Sequence, residues 1–464
     1  MDEITGGGLP KGRPTLIAGG PGCGKTLFAM EFLVNGAIQY DEPGVFMAFE
    51  ENAEELAQNV ASLRFDLKKL SKQKKLVIDY VRVERSEIEE TGDYDLEGLF
   101  IRLGHAIDSI GAKRVVLDTV EVLFSALSNQ GILRAELQRL FRWLKDKGVT
   151  AIITAERGEG TMTRFGLEEY VADCVILLDH RVNEQMSTRR LRIVKYRGTL
   201  HGTNEYPFLI TKQGISVLPI TSLGLDHTAP AGRISTGVKE LDDMLGGKGY
   251  YRGSSILLSG TAGTGKSSLA TAFVDAACQR GERCLYFSFE ESTSQILRNM
   301  RSIGIDLTPH VKKGLLQFHV ARPTMYGLEM HLVTIHDLIK QYKPQIVVLD
   351  PITDFFAVGS TAEVKAAITR IIDFLKSNQV TALFTSYTEE GAPNESVVGV
   401  SSLIDTWISL RNLENQGERH RGLFVLKSRG MAHSNQIRSF QLTSDGIKIG
   451  EMDLAGRRTE FSMS

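Results

Sequence analysis

The chain matches itself almost from end to end, and that duplication limits its architecture more than any other feature. GGLPKGRPTLIAGGPGCGKTLF, Gly7 to Phe28, corresponds to GGKGYYRGSSILLSGTAGTGKSSL, which begins at Gly246. GVFMAFEEN, ending at Asn52, pairs with CLYFSFEES, ending at Ser292. KRVVLDTVEVLF around Asp118 pairs with PQIVVLDPITDFF around Asp350, and VKYRGTLH from Val194 pairs with LKSRGMAH from Leu426. The order is the same in both halves, so this is a duplicated domain rather than the repeat of roughly 20–50 residues that builds a solenoid. Length agrees, because 464 residues exceed the roughly 250–300 that one hydrophobic core holds. The join falls near Thr221 to Arg233, where TSLGLDHTAPAGR mixes Pro, Gly and polar residues. Two domains are expected, 1–221 and 232–464.

Within each half, short β-branched runs such as TLIAGG, VFMAF, VVLD and TAIIT alternate with helix-length amphipathic stretches such as LFIRLGHAIDSI. That alternation predicts βαβ units and an α/β fold, with a mostly parallel sheet flanked by helices in each half. The late runs CVILLD and LRIVKYR stand too close together for an intervening helix and are expected to pair as an antiparallel hairpin.

Gly19 to Thr26, GGPGCGKT, and Gly260 to Ser267, GTAGTGKS, both match GxxxxGK[ST], with a strand before and a helix after. Glycines let the backbone turn tightly and aim successive N–H groups at phosphate oxygens, and the helix that follows offers its positive end. ATP is therefore expected on Gly22, Cys23, Gly24, Lys25, Thr26 and Leu27, and on Ala262, Gly263, Thr264, Gly265, Lys266, Ser267 and Ser268. Lys25 and Lys266 reach the β and γ phosphates in this reading, and the hydroxyls of Thr26 and Ser267 take Mg2+. Asp118 and Asp350 each close a VVLD strand beside the phosphate site and are expected in the metal shell, although a strand-ending Asp also serves as a cap or turn residue. Glu50 and Glu51, and Glu290 and Glu291, follow the strand after the P-loop helix. There a carboxylate can polarise an attacking water or hydroxyl, with Glu290 also assigned to the metal side, or the acids simply begin the next helix.

Lys195 and Arg197 of KYRG, and Lys427 and Arg429 of KSRG, are two apart on a strand, so each pair faces one way. They are candidates to reach a neighbour's γ-phosphate, with solvated strand charge as the alternative. Thr199 and His201, and Ser428 and His433, travel with these motifs and, with Lys195, Arg197, Lys427 and Arg429, are expected to bind nucleotide, although a recurring histidine serves the structure as readily.

Charge excludes some partners. Lys plus Arg number 54 against 56 acids, a net charge of -2, which supplies no basic field for a polyanion, so no nucleic acid is expected. The four cysteines show no zinc or disulfide spacing, which fits a reducing compartment. MDEITGGGLPKGR is not a signal peptide and no run of 18 apolar residues appears, so no membrane association and a cytoplasmic location are expected.

Tandem P-loops, FEE and FEES, the two VVLD strands and KxRGxxH near each domain's end together resemble the KaiC family over almost the whole chain, with YDEPGVFMAFEE and RFGLEEYVADCVILL as the more specific segments. The resemblance implies two tandem RecA-like P-loop NTPase domains stacked as two rings of six, ATP at subunit interfaces, ATP hydrolysis in the first ring and serine/threonine autokinase activity in the second. Through it Glu50 and Glu290 are catalytic glutamates, Lys195, Arg197, Lys427 and Arg429 act across the interface, and Arg189, Arg421 and Ser62 lie near nucleotide. Aligning Asp173 with Asp405 sets Glu169 and Tyr170 opposite Ser401 and Ser402. The family's acceptors are a Ser-Thr pair at this spot, so Ser401 and Ser402 are the expected phosphoacceptors, with Glu290 of an adjacent subunit as base. Adjacent serines also cap helices or line loops. A KaiB-like partner is compatible with the first ring; because only the short tail EMDLAGRRTEFSMS follows GIKIG, dependence on a KaiA-like protein is doubtful. Two other functions share the fold: a RecA- or DnaB-type motor on DNA, against which stands the lack of a basic stripe with interleaved aromatics, and an ATP-gated scaffold.

Overall fold

A computed structural model describes residues 1–63, 65–82, 96–124, 130–158, 161–164, 166, 171–183, 186–212, 214–217, 229–388, 399–415 and 418–452. Contacts divide the chain into two units, Met1–Ser222 and Leu223–Ser464.

The first unit carries β1 (Pro14–Gly19), β2 (Gly44–Ala48), β3 (Leu76–Tyr80), β4 (Arg114–Asp118), β5 (Thr150–Glu156), β6 (Cys174–Asn183), β7 (Met186–Tyr196), β8 (Glu205–Thr211) and β9 (Gly214–Val217). They form one nine-stranded sheet in the order β3-β2-β4-β5-β1-β6-β7-β8-β9. Pairing is parallel from β3 to β6 and antiparallel from β6 to β9. The β6–β7 pair is the hairpin expected from the short spacer between CVILLD and LRIVKYR.

The second unit starts with a two-residue ribbon of β10 (Arg233–Ile234) and β11 (Tyr250–Tyr251). Its sheet is built from β12 (Ser255–Gly260), β13 (Cys284–Ser288), β14 (Leu316–Val320), β15 (Ile346–Asp350), β16 (Thr381–Tyr387), β17 (Thr406–Asn415), β18 (Glu418–Ser428), β19 (Arg438–Thr443) and β20 (Gly446–Glu451). The order β14-β13-β15-β16-β12-β17-β18-β19-β20 repeats the first sheet strand for strand. The chain therefore holds two tandem RecA-like units, each a mostly parallel sheet flanked by helices.

The burial pattern explains the layering. Strands β1, β2, β12 and β13 are buried along their whole length, as expected of parallel strands covered on both faces. Alternate residues serve opposite faces. Ile17 and Val116 join Phe28, Leu33, Val34 and Ala37 of the P-loop helix Lys25–Gln39. Leu16, Val115 and Leu117 join Phe100, Leu103 and Ile107 of helix Glu97–Ile110, and Leu137, Leu140 and Phe141 of helix Gln130–Asp146. Helix Lys266–Gln279 repeats the first face with Leu269, Phe273, Val274 and Ala277.

Candidate nucleotide sites

Each phosphate loop leaves the carboxyl end of the central strand and runs into a helix. Gly24 and Gly265, the N-cap residues of those helices, sit at φ 101° and 99°, in left-handed conformations that glycine adopts without strain. At Gly265 a Cβ would meet Phe440 at 2.6 Å, so sterics and φ agree. The lysines curl into the loops they follow: Lys25 Nζ donates to the carbonyls of Gly19 at 2.8 Å and Gly20 at 3.2 Å, and Lys266 Nζ to those of Gly260 at 2.8 Å and Thr261 at 2.9 Å. Both ammonium groups are buried, and burial pushes Lys266 down to about 8 against the opposing pull of Asp350 and Glu290.

The carboxylates converge on the same end of each sheet. Asp118 is buried, accepts from Thr154 Oγ1 and is hydrogen-bonded to Thr26; burial raises its pKa, and nearby Glu50 adds to the rise. Asp350 accepts from Thr385 Oγ1 and, at 2.5 Å, from the phenol of Tyr286. Glu50 accepts from Thr119 Oγ1 at 3.1 Å, and Glu290 accepts from the phenol of Tyr387 at 2.7 Å. Glu51 and Glu291 are held in the same way, each accepting from an asparagine on the following helix, Asn59 at 3.0 Å and Asn299 at 3.1 Å. Burial and the charges of Asp350 and Glu290 raise the pKa of Glu291.

These acids do not begin the next helix. Asn52 and Ser292 cap it in capping boxes with Glu55 and Gln295, so Glu50, Glu51, Glu290 and Glu291 stand before the cap, in the bend that faces the P-loop. A two-residue cap motif thus fixes the chain direction that presents each carboxylate.

Register separates the basic residues into two groups. Leu178 of β6 pairs with Gly19, and Arg189 pairs with His180, two residues further on, so Arg189 stands at the P-loop end, where its charge acts on Cys23. In the second unit Arg421 lines a 480 Å³ pocket with Ala262 and Gly263 of the P-loop, Asn412, Arg419 and His420. A 550 Å³ cavity in the first unit lies elsewhere, against Phe28, Glu31, Phe32 and Arg114 on the outer side of the P-loop helix.

Lys195, Arg197, Lys427 and Arg429 are at the opposite end of the sheet. Thr406 pairs with Ile256 near the start of β12, and Ser428 pairs with Thr406. The six residues of β12, five steps of 3.3 Å or about 17 Å, stand between this edge and the P-loop. Lys427 Nζ donates to the carbonyl of Ser401 at 2.8 Å, and Arg429 Nη2 to that of Ser402 at 2.6 Å. Arg197 lies 3.5 Å from Asp173. Ser428 is buried against Thr406, His201 stacks on Tyr196, Thr199 is exposed and His433 half-buried. Ser401, half-buried, and Ser402, exposed, line a turn before β17, and no helix follows them. Ser62 is exposed on the turn Ala61–Leu63. Glu169, Tyr170 and the tail from residue 453 lie outside the described residues.

Several site residues escape a reading by motif alone. Thr154 and Thr385 sit in matching strands, and Asn59 and Asn299 each stand eight residues after the second glutamate, so extending the self-comparison finds them. Tyr387 breaks the repeat: Gly260 pairs with it where Gly19 pairs with Glu156.

The model of the family described as "ATPase: KaiC" matches residues 1–222 and again 234–453. A circadian clock protein KaiC2 from Synechocystis sp. is 58% identical over 454 residues, 97% of this chain and 80% of the relative. A circadian clock protein KaiC3 from the same organism is 39% identical, covering 97% of this chain and 90% of the relative. The circadian clock oscillator protein KaiC of Synechococcus elongatus is 38% identical over 453 residues, 97% and 87% of the two chains.

Proposed function

This chain belongs to the KaiC family of ATPases, and on that premise we propose that it works as a homohexamer that hydrolyses ATP at both P-loops and phosphorylates Ser401 and Ser402 from the second site of a neighbouring subunit. The observation that carries this reading is the distance between acceptor and donor in one unit. Ser401 and Ser402 lie at the amino edge of the sheet, about 17 Å of strand away from the P-loop that follows β12. A γ-phosphoryl group held at Lys266 cannot reach Ser401 or Ser402 of its own unit, whereas a head-to-tail ring that sets one subunit's amino edge against the next subunit's P-loop brings the two together.

The chemistry follows from the groups named. Lys25 and Lys266 hold the β and γ phosphates, and Glu50 or Glu290 accepts the proton of the attacking water or serine hydroxyl as the γ-phosphoryl group moves to that oxygen and ADP leaves. Lys195 and Arg197, or Lys427 and Arg429, reach over from the neighbour to the phosphoryl oxygens.

Thr26 with Asp118, and Ser267 with Asp350, offer one hydroxyl and one carboxylate each. That hard, sparse donor set fits Mg2+, which keeps its remaining sites for phosphate oxygens and water. The buried Asp118 carboxyl, raised in pKa by desolvation, is the group a cation would restore to its charged form. Mg2+ bound with ATP would neutralise charge on the transferring phosphoryl group.

Phosphate on Ser401 or Ser402 adds about two negative charges beside Lys427 and Arg429 and draws both cations off the carbonyls they now bind. That exchange gives the subunit edge two states, the property a timing switch needs, and the names of the relatives as circadian clock proteins support the same reading. A KaiB-like protein on the first unit belongs to this proposal. Intact mass after incubation with Mg-ATP tests it: the expected gain is one or two phosphates, abolished by Ser401→Ala with Ser402→Ala. No gain in the unmutated chain removes the kinase reading and leaves an ATPase.

A further inference from the structure

The two halves hold the carboxylate of their catalytic glutamate differently. In the first, Glu50 accepts from Thr119, the residue after Asp118. The second half has Pro351 there, with no hydroxyl to give. Its donor comes from another strand: Tyr387, the last residue of β16, donates its phenol to Glu290 Oε2 at 2.7 Å. The same ring lies 4.2 Å from Lys266 Nζ. Since Nζ also donates to the carbonyls of Gly260 and Thr261, the lysine is enclosed by two backbone oxygens and an aromatic face. Lys25 has the corresponding carbonyls, but among the described residues no aromatic ring covers it, and the strand position of Tyr387 is Glu156.

The geometry points to Tyr387 as a latch peculiar to the second ATP site: a positioning residue that aims Glu290 through its phenol and covers Lys266 with its ring until a triphosphate displaces it. This rests on the reading that the second P-loop binds ATP with Glu290 as base.

An ammonium group held over a ring and shielded from water gains from that contact, and the γ-phosphate competes for the same face of Nζ. The ring therefore weakens triphosphate binding at the second site; it moves aside from Lys266 while its phenol stays on Glu290, so the carboxylate keeps its aim with ATP bound. Two sites with matching phosphate loops then differ in affinity and in the group that aims the proton acceptor.

Photolabelling the full chain with 8-azido-ATP and Mg2+, with labelled peptides of the two halves quantified separately, reads each site by itself, and first-half labelling controls for folding. Tyr387→Leu removes ring and phenol, and the expected result is a second-half midpoint lowered roughly tenfold, with the first-half midpoint unchanged. Tyr387→Phe keeps the ring, so its second-half midpoint stays within about twofold. In a Glu50→Gln background it is expected to lower kcat for ATP at least about fivefold with KM unchanged, because only the aim of Glu290 is lost. The proposal is overturned if Tyr387→Leu leaves or raises the second-half midpoint, or if Tyr387→Phe leaves kcat unchanged. Absence of second-half labelling in the unmodified chain is a different failure, which removes the underlying ATP reading.

Discussion

At the scale of single residues, the account rests on groups whose surroundings leave them one task. Glu50 stands outside any helix, receives one hydroxyl from Thr119 and faces buried Asp118. Glu50→Gln keeps its size and the hydrogen bond but cannot take a proton. Steady-state ATPase of the first site is expected to fall by about 10²–10⁴, while nucleotide remains bound to that half. Asp354, near Glu290 and Asp350, is pushed up to about 6, chiefly by burial. A carboxyl whose pKa is higher folded than unfolded favours the fold when protonated. Its contribution is complete below the unfolded value of about 3.9 and is lost as pH rises through about 6. Asp354→Asn should therefore flatten the stability of nucleotide-free protein between roughly pH 4 and 6, measured by urea melts at each pH. An undiminished slope in that window assigns it to other groups.

At the scale of elements, the P-loops, their helices and the β6–β7 hairpin are legible because the sequence states each of them twice. What strand direction does to a motif is not legible in the same way. Arg189 and Lys195 both stand on β7 and both are expected near nucleotide, yet register puts the first beside the phosphate loop and the second at the far edge. Tyr387 is invisible for the opposite reason, since it has no counterpart in the first half against which to be noticed. The FEEN and FEES segments do carry a local prediction. Asn52 accepts from the backbone N–H groups of Glu54 and Glu55 at 3.0 and 3.1 Å, so Asn52→Ala should cost about 1 kcal/mol of stability in denaturant melts. The same change should slow first-site turnover, because the bend that presents Glu50 loses its fixed end. A cap loss with unaltered turnover separates the helix from the site.

At the scale of the whole molecule, two units with the same strand order carry sites with different surroundings: Thr119 against Tyr387 as donor, and an adjacent serine pair only in the second. If phosphoryl transfer crosses between subunits, an isotopically heavy Lys266→Ala chain mixed with a light Ser401→Ala/Ser402→Ala chain gains phosphate on the heavy partner alone. A heavy chain that gains no phosphate contradicts transfer in trans. The central claim, that each polypeptide grips two triphosphates through Lys25 and Lys266, is tested most directly by extracting and counting bound adenine nucleotide after equilibration with a slowly hydrolysed ATP analogue and Mg2+. Two nucleotides per unmodified chain and one per Lys266→Ala chain is the predicted result; one or none on the unmodified chain contradicts it.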